Sequence, residues 1–213
     1  MPTRGRPEFA KRAVDQFAAQ TYADLELIIL DDTDVPSFPQ YRDYCGGVRV
    51  ALWCTGKPVS YWRVDGRLSV GAKRNIACSR ARGEIICHWD DDDISAPGRI
   101  ADQVARLLET GKQVTGYSDM EFVEPDGTRW MYTAPESMVD YALGTSLMYR
   151  RDYWREHAFE SLNVQEDNQF VWAARVAGSI VSVPAHGLMT ATIHPGNTSV
   201  RQLENQTSFV RIG

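Results

Sequence analysis

The sequence predicts an α/β fold whose sheet is mixed, mostly parallel and flanked by helices, and three observations support this. The run Leu25-Glu-Leu-Ile-Ile-Leu30 is almost continuously apolar, the pattern of a strand covered on both faces. Glu84-Ile-Ile-Cys-His-Trp89 has the same character. Around these runs lie segments whose apolar residues recur every three or four positions, as on a helix with one buried face.

The elements follow in order. Pro7 to Tyr22 predicts the first helix: Pro7 suits the first helical position, and Ala10, Ala13, Val14, Phe17 and Ala18 share a face. The strand from Leu25 then stops at Asp31-Asp32. Thr33 to Gly47, rich in Pro and Gly, predicts a loop, and the alternation of Val48, Val50 and Leu52 a short strand. Gly71 to Arg82 predicts a helix closed by a left-handed Gly83. The Glu84 strand runs directly into Asp90-Asp-Asp-Asp93. Pro97 opens a helix with Ile100, Val104, Leu107 and Leu108 on one side and Gly111 past its end. Met120 to Tyr132 predicts a hairpin turning at Glu124-Pro-Asp-Gly127. A short strand at Thr145 to Tyr149, a helix from Glu166 closed by Gly178, and strands at Ser179 to Val183 and Leu188 to Ile193 complete the chain. Without a repeat or a Pro/Ser-rich linker, residues 1–213 predict one domain.

Composition narrows the function. The net charge of −5 argues against a general nucleic-acid binder. The 23 basic residues are mostly arginine, whose planar fork suits phosphate and carboxylate, although codon usage is the better explanation for the surface arginines. Cys45, Cys54, Cys78 and Cys87 form no CxxC pair and are expected as free thiols in a reducing compartment. The sequence has no apolar run of membrane-spanning length, and its opening MPTRGRPEF has no apolar stretch. The expectation is a cytoplasmic protein, with peripheral membrane attachment left open.

Several constellations carry chemistry. Asp90 to Asp93 ends a buried strand, where open α/β sheets bind ligands. Adjacent carboxylates repel unless a positive group offsets them, and a divalent cation with oxygen ligands does so. A solvated acidic turn explains the cluster nearly as well. Asp31-Asp32 ends the other strand, so both acidic turns are expected at one cleft. Pro2-Thr-Arg-Gly-Arg-Pro7 brings two guanidinium groups to a helix start, a setting suited to a diphosphate, and Lys73-Arg74 lies early in the next helix. Glu166-Asp167 opens a helix and offers a carboxylate that can accept a proton from a hydroxyl. His194 is a possible metal ligand in a loop, where a lone His is more often simply packed. Trp130, Tyr132, Trp154 and Trp172 are candidates for an aromatic stacking platform, with Trp172 expected in the core instead.

Taken together and in order, these segments resemble glycosyltransferases of family two, with the GT-A fold. The residues that carry the resemblance are Pro2-Thr3 with Arg6-Pro7, Leu30-Asp-Asp32, Gly71-Ala-Lys-Arg-Asn75, Ala81 to Ile86, Asp90 to Asp93, Gly144 to Arg150, Glu166-Asp167 and His194-Pro-Gly-Asn-Thr-Ser199. The resemblance implies transfer of a sugar from a nucleotide-sugar donor, UDP-linked by expectation, to an acceptor hydroxyl with inversion. It implies a nucleotide-sugar half over about 1–115 and an acceptor half over about 116–213. On the donor side it places Pro2, Thr3, Arg6, Asp31 or Asp32, Lys73, Arg74, Asp90 and Asp91. Asp92 is implied as ligand of a divalent metal, Mn2+ or Mg2+, with His194 as a further metal or diphosphate contact. Asp167 is implied as the general base, and Pro195 to Arg201 as a segment covering the donor. The acceptor class, whether glycan, lipid-linked or protein, is left open. In the family a strand precedes the Pro-Thr segment, and here the chain starts at Met1. Some other segment, such as Met1 to Arg4, is therefore expected to pair with the Leu25 strand.

Two other readings stand beside this one. A phosphatase of the haloacid-dehalogenase type would use Asp32 and Asp34 after an apolar strand, but Val35-Pro36 departs from that pattern. A sugar-nucleotide-binding protein without turnover would carry the same residues. Nucleotidyltransferases share the metal and nucleotide logic but have no need of Asp167.

Overall fold

The computed structural model describes residues 1–38, 50–51, 56–198 and 206–213. Cys45, Cys54, most of the loop expected up to Gly47, the Val48 and Leu52 ends of the short strand, and the 199–201 end of the covering segment lie outside the described residues. Cys78 and Cys87 are free thiols.

Strand β1 (Pro2–Thr3) leads into helix α1 (Pro7–Ala18), which buries Ala10, Ala13, Val14 and Phe17. Helix α1 stops before Tyr22 because Gln20 and Thr21 bond instead to the chain ahead of the third helix. Gln20 Nε2 donates to the Ala96 carbonyl at 2.9 Å and the Thr21 N–H to the Pro97 carbonyl at 2.8 Å. Strand β2 (Leu27–Asp31) is buried throughout, as a doubly covered strand must be. It pairs in parallel with β4 (Val59–Arg63) on one side and with β1 on the other, and β3 (Val50–Ala51) extends β4 antiparallel. The expected substitute strand is thus present: the Met1 amine donates to the Ile28 carbonyl at 2.7 Å, and Pro2 and Thr3 lie opposite Leu30 and Asp31.

Helix α2 (Val70–Arg80) is capped by Ser69, whose hydroxyl accepts the Ala72 N–H. Its end differs from expectation. The chain leaves extended at Ala81, and Gly83 is not left-handed, because the Arg82 N–H is drawn to the Glu26 carboxylate at 2.7 Å. Strand β5 (Ile85–Cys87), the short β6 (Ile94–Ser95) and α3 (Arg99–Thr110) follow. Gly111 ends α3 left-handed at φ 66°, as expected. Strands β7 (Val114–Val123) and β8 (Arg129–Thr133) form the expected hairpin. Then come β9 (Met148–Arg150), α4 (Arg151–Glu156), α5 (Asn168–Val176), β10 (Ile180–Pro184), β11 (Met189–Thr192) and β12 (Phe209–Arg211).

The mixed sheet is present as two hydrogen-bonded parts, one of four strands and chiefly parallel, the other of eight and mixed. β7 is the hub of the larger part. It pairs in parallel with β10 and β11 and antiparallel with β8 and β9. Between the two parts lies a slot of about 810 Å3, bordered by Leu25, Leu27 and Ile28 on one side and Ile85 and Cys87 on the other. Phe17, Trp89, Val104 and Leu107 join the parts in a common core. Among the described residues, no helix is long and apolar enough to cross a membrane.

Candidate functional site

A cavity of about 1130 Å3 opens where β5 ends, and Asp90 to Asp93 form part of its wall. The strand delivers the four carboxylates to one turn, and the fold then gives each a different environment. Arg74, from α2, holds Asp90 in a two-pronged bond at 3.0 and 3.1 Å and reaches Glu166 at 3.1 Å with its Nε. Burial alone would raise the Asp90 pKa, but the Arg74 charge outweighs it and holds Asp90 well below the usual carboxylate range. Asp91 is wholly buried. It accepts the Thr3 hydroxyl at 2.6 Å and the Arg6 guanidinium at 2.5 Å, which pins the 2–6 segment to the acidic turn.

Asp92 faces the cavity. Its Oδ2 lies 2.8 Å from Arg6, 3.1 Å from His194 Nε2 and 3.3 Å from Asn197 Nδ2. The Phe9 ring backs the His194 ring at 4.6 Å. Asp93 accepts the Thr192 N–H at 3.1 Å and the Thr145 hydroxyl, which also bonds Asp90. Burial, and then the charges of Asp92 and Asp90, push Asp93 up to about 7. Burial and Asp92 likewise bring Asp91 up to about 6 despite Arg6.

Asp167 caps α5 at the same cavity and packs on Gly144 so tightly that a Cβ there would lie 1.6 Å from its Oδ2. The α5 helix begins two residues later than the expected start at Glu166, with Gln165 left-handed at φ 65° before it. Glu166 turns inward to Arg74 instead of starting the helix.

The structure thus brings together Pro2, Arg6, Lys73, Arg74, Asp90, Asp91, Asp92 and Asp167 around one cavity. Thr3 and His194 stand behind its wall, bonded to Asp91 and Asp92. Asp31 and Asp32 do not line it. Asp31 accepts the N–H groups of Thr33 and Ser37 and the Tyr61 hydroxyl, at 2.7 Å. Asp32 accepts the Leu68 N–H at 2.8 Å and Lys73 Nζ at 3.1 Å, and its side chain has 0% exposure. A carboxylate so enclosed is no nucleophile for a phosphate ester, which removes the support for a phosphatase built on Asp32 and Asp34. Of the candidate aromatics, Trp130 is buried and Trp154 is tied to Asn75 at 3.0 Å. Trp172, expected in the core, is instead exposed on the cavity rim, because Phe170, Val171 and Ala174 form the buried face of α5. Sequence reasoning assigned no role to Thr145 or Asn197. Both lay inside quoted motifs, and only contacts 52 to 105 residues away in the chain reveal what they do.

An α/β fold with a cleft of this make-up at its strand ends defines the GT-A type of glycosyltransferase. The profile of glycosyl transferase family 2 matches residues 1–172, and the chain belongs to that family. It is 26% identical over 175 residues to WcaA of Escherichia coli (strain K12), which carries the name of a colanic acid biosynthesis glycosyl transferase. That match covers 82% of this chain and 56% of the relative. An uncharacterised glycosyltransferase of Rickettsia conorii is 26% identical over 140 residues, 65% of this chain and 22% of its own length. The chain thus spans about half, or less, of the curated relatives it matches.

Among solved structures, Staphylococcus aureus TarS 1–349 with UDP superposes with a TM-score of 0.69 at 20% identity, over 91% of this chain and 59% of that one. The mannosyltransferase PcManGT of Pyrobaculum calidifontis, with GDP-Man and Mn2+, gives 0.65 at 14% identity, over 92% and 56%. These likenesses establish a shared fold.

Proposed function

We propose that this chain transfers a sugar from a nucleotide-sugar, UDP-linked, to an acceptor hydroxyl with inversion, and that donor binding requires a divalent cation. The observation that carries the proposal is the charge of the cavity. Among the described residues, the carboxylates of Asp90 to Asp93, Glu166 and Asp167 face only the cations Arg6, Lys73, Arg74 and Arg175. Burial chiefly raises Asp91 and Asp93, and the neighbouring carboxylates add to the rise. A diphosphate is itself anionic and is repelled from such a site unless a cation comes with it. Family membership supports the reading, as do neighbours of the same fold crystallised with UDP, UDP-GlcNAc, or GDP-Man and Mn2+.

Asp92 would hold the cation from the cavity wall, and His194, bonded to Asp92 at 3.1 Å, would become a further metal or diphosphate contact once that bond opens. Bound there, Mn2+ or Mg2+ supplies positive charge to the diphosphate as it leaves. Arg6 and Lys73 bring further positive charge to the same place, and Arg74 holds Asp90 toward the nucleotide ribose. Asp167 accepts the proton of the acceptor hydroxyl as the oxygen attacks the sugar carbon opposite the diphosphate. The cavity is larger than a single small-molecule site needs, with room for donor and acceptor together. Residues 1–115 serve the donor and 116–213 chiefly the acceptor.

Calorimetry with UDP tests the cation requirement. Binding is expected with manganese, to fall at least tenfold after chelation, and to fall similarly in Asp92→Ala with manganese present. Equal affinity with and without the metal overturns it.

A further inference from the structure

We infer that the acceptor is an anionic sugar, its ring stacked on Trp172 and its phosphate or carboxylate held by Arg175. The inference rests on the glycosyltransferase reading and deepens it. The cations of the cavity divide into two kinds. Arg6 is paired with Asp91 and Asp92, Arg74 with Asp90 and Glu166, and Lys73 with Asp32. Arg175 makes no ion pair among the described residues. Its Nε donates to the Val139 carbonyl at 3.0 Å, and its guanidinium carbon sits 5.2 Å from the Trp172 ring centroid. One nitrogen is thus spent on fixing the side chain, and the two Nη groups of the fork remain for a ligand. A fixed planar fork suits two-pronged binding of phosphate or carboxylate.

Trp172 is 61% exposed, although an indole this size is usually well covered. It lies on the cavity rim one turn from Arg175 and is held from one side by the guanidinium. The apolar face of a sugar ring covers an exposed indole without requiring the indole N–H to be buried unpaired. At a rise of 1.5 Å per residue, Trp172 stands ~7.5 Å and Arg175 ~12 Å along α5 from Asp167. The order along the helix is therefore proton acceptor, stacking surface, then anion site. A ligand that presents its hydroxyl to Asp167 and its ring to Trp172 extends its next substituent to Arg175. The six carboxylates elsewhere in the cavity repel an anion, so its negative group is directed to this one outer position.

The test uses the whole chain saturated with UDP and manganese, titrated with glucose, glucose 6-phosphate and glucuronate. Both anionic sugars, or the one whose anion is the true match, are expected to bind at least tenfold more tightly than glucose. Arg175→Gln should remove that preference, with Arg175→Lys restoring part of it, and Trp172→Ala should weaken all three sugars. UDP affinity in the variants should stay within twofold of the parent. Two results overturn the inference: glucose binding as well as the charged sugars, or a preference that survives Arg175→Gln. Loss of UDP binding in the parent chain would count against the glycosyltransferase reading instead. The sugar titration repeated without UDP then still reads the Arg175 position by itself.

Discussion

Gly144 and Asp167 form the most exacting contact of the site, since glycine alone leaves room for the carboxylate. A methyl group at Gly144 overlaps the end of the Asp167 side chain, which must rotate away, while the surrounding backbone need not move. Gly144→Ala is therefore expected to cost little stability and to slow transfer nearly as much as Asp167→Asn. Loss of a general base typically costs roughly 10²–10⁴-fold in rate. UDP affinity should hardly change in either variant if, as proposed, Asp167 serves the acceptor and not the diphosphate. Parallel measurement of transfer and UDP binding checks this. Near-normal transfer by Asp167→Asn would shift the role to another group, with Glu166 the first to examine.

At the scale of elements, the docking of α2 decides whether Arg74 reaches both Asp90 and Glu166. A Cβ at Gly71 would lie 1.8 Å from the Glu160 carbonyl oxygen, and the Gly71 N–H donates to the Leu162 carbonyl at 3.0 Å. Asn75, one turn on, donates to the Phe159 carbonyl and accepts the Phe159 N–H. Here the obstacle is backbone and cannot swing aside. Gly71→Ala is expected to destabilise the protein by about 1–3 kcal/mol, as overpacking does. Urea unfolding measures it, and an unchanged midpoint would mean the 159–163 loop is softer than its contacts imply.

The elements also separate what the sequence revealed from what it hid. Pro7, the apolar run before Asp31, Gly111 and the Glu124 to Gly127 turn carry local rules, and those elements stand where expected. The failures are long-range. Gly83 looked like a helix cap until Glu26, 56 residues away, claimed the Arg82 N–H. Both acidic turns were expected at one cleft, yet only Asp90 to Asp93 line the cavity, because Tyr61, Leu68 and Lys73 hold Asp31 and Asp32 aside. Trp172 was expected in the core as a large aromatic on a helix, yet it lies off the apolar face of Phe170, Val171 and Ala174. The acidic turn was legible as the wall of a cleft, whereas the distinct environment of each carboxylate was set by partners from Thr3 to Asn197.

For the whole molecule, the uneven titration of the acidic cluster sets a pH dependence. Asp91 and Asp93 bind protons more tightly folded than unfolded, rising to about 6 and about 7 from ordinary carboxylate values, and Glu166 is shifted the same way by burial. Between pH 4 and 6 the folded chain therefore holds protons that the unfolded chain has released, and stability falls as pH rises through this window. Asp90, shifted downward, acts only below it. Buried His88, held neutral in the folded chain, and the Met1 amine, lowered to about 6 by burial, work in the opposite sense as pH approaches and passes 6. Thermal midpoints should therefore decline from pH 4.5 to 5.5, less steeply in Asp93→Asn and less steeply with manganese. A midpoint that climbs across the window would show the cluster to be adequately neutralised already.

β7 has a kinetic consequence. Its two parallel partners, β10 and β11, begin at residues 180 and 189, so Val114 waits 66 residues for Ile180. Contacts of such separation pay loop-closure entropy before they yield any stabilisation, and chains dominated by them fold slowly. During synthesis the central strand stands with an open, apolar edge until the last sixth of the chain emerges, and open edges recruit other chains. A version ending at residue 172 keeps the residues matched by the family profile and the carboxylates of the cavity, but lacks both parallel partners. It is expected to emerge as aggregate, while the 213-residue chain emerges as dispersed protein. Size-exclusion chromatography of the two, made side by side at equal expression, checks this. A monodisperse 1–172 would mean that β8 and β9 alone suffice to hold β7.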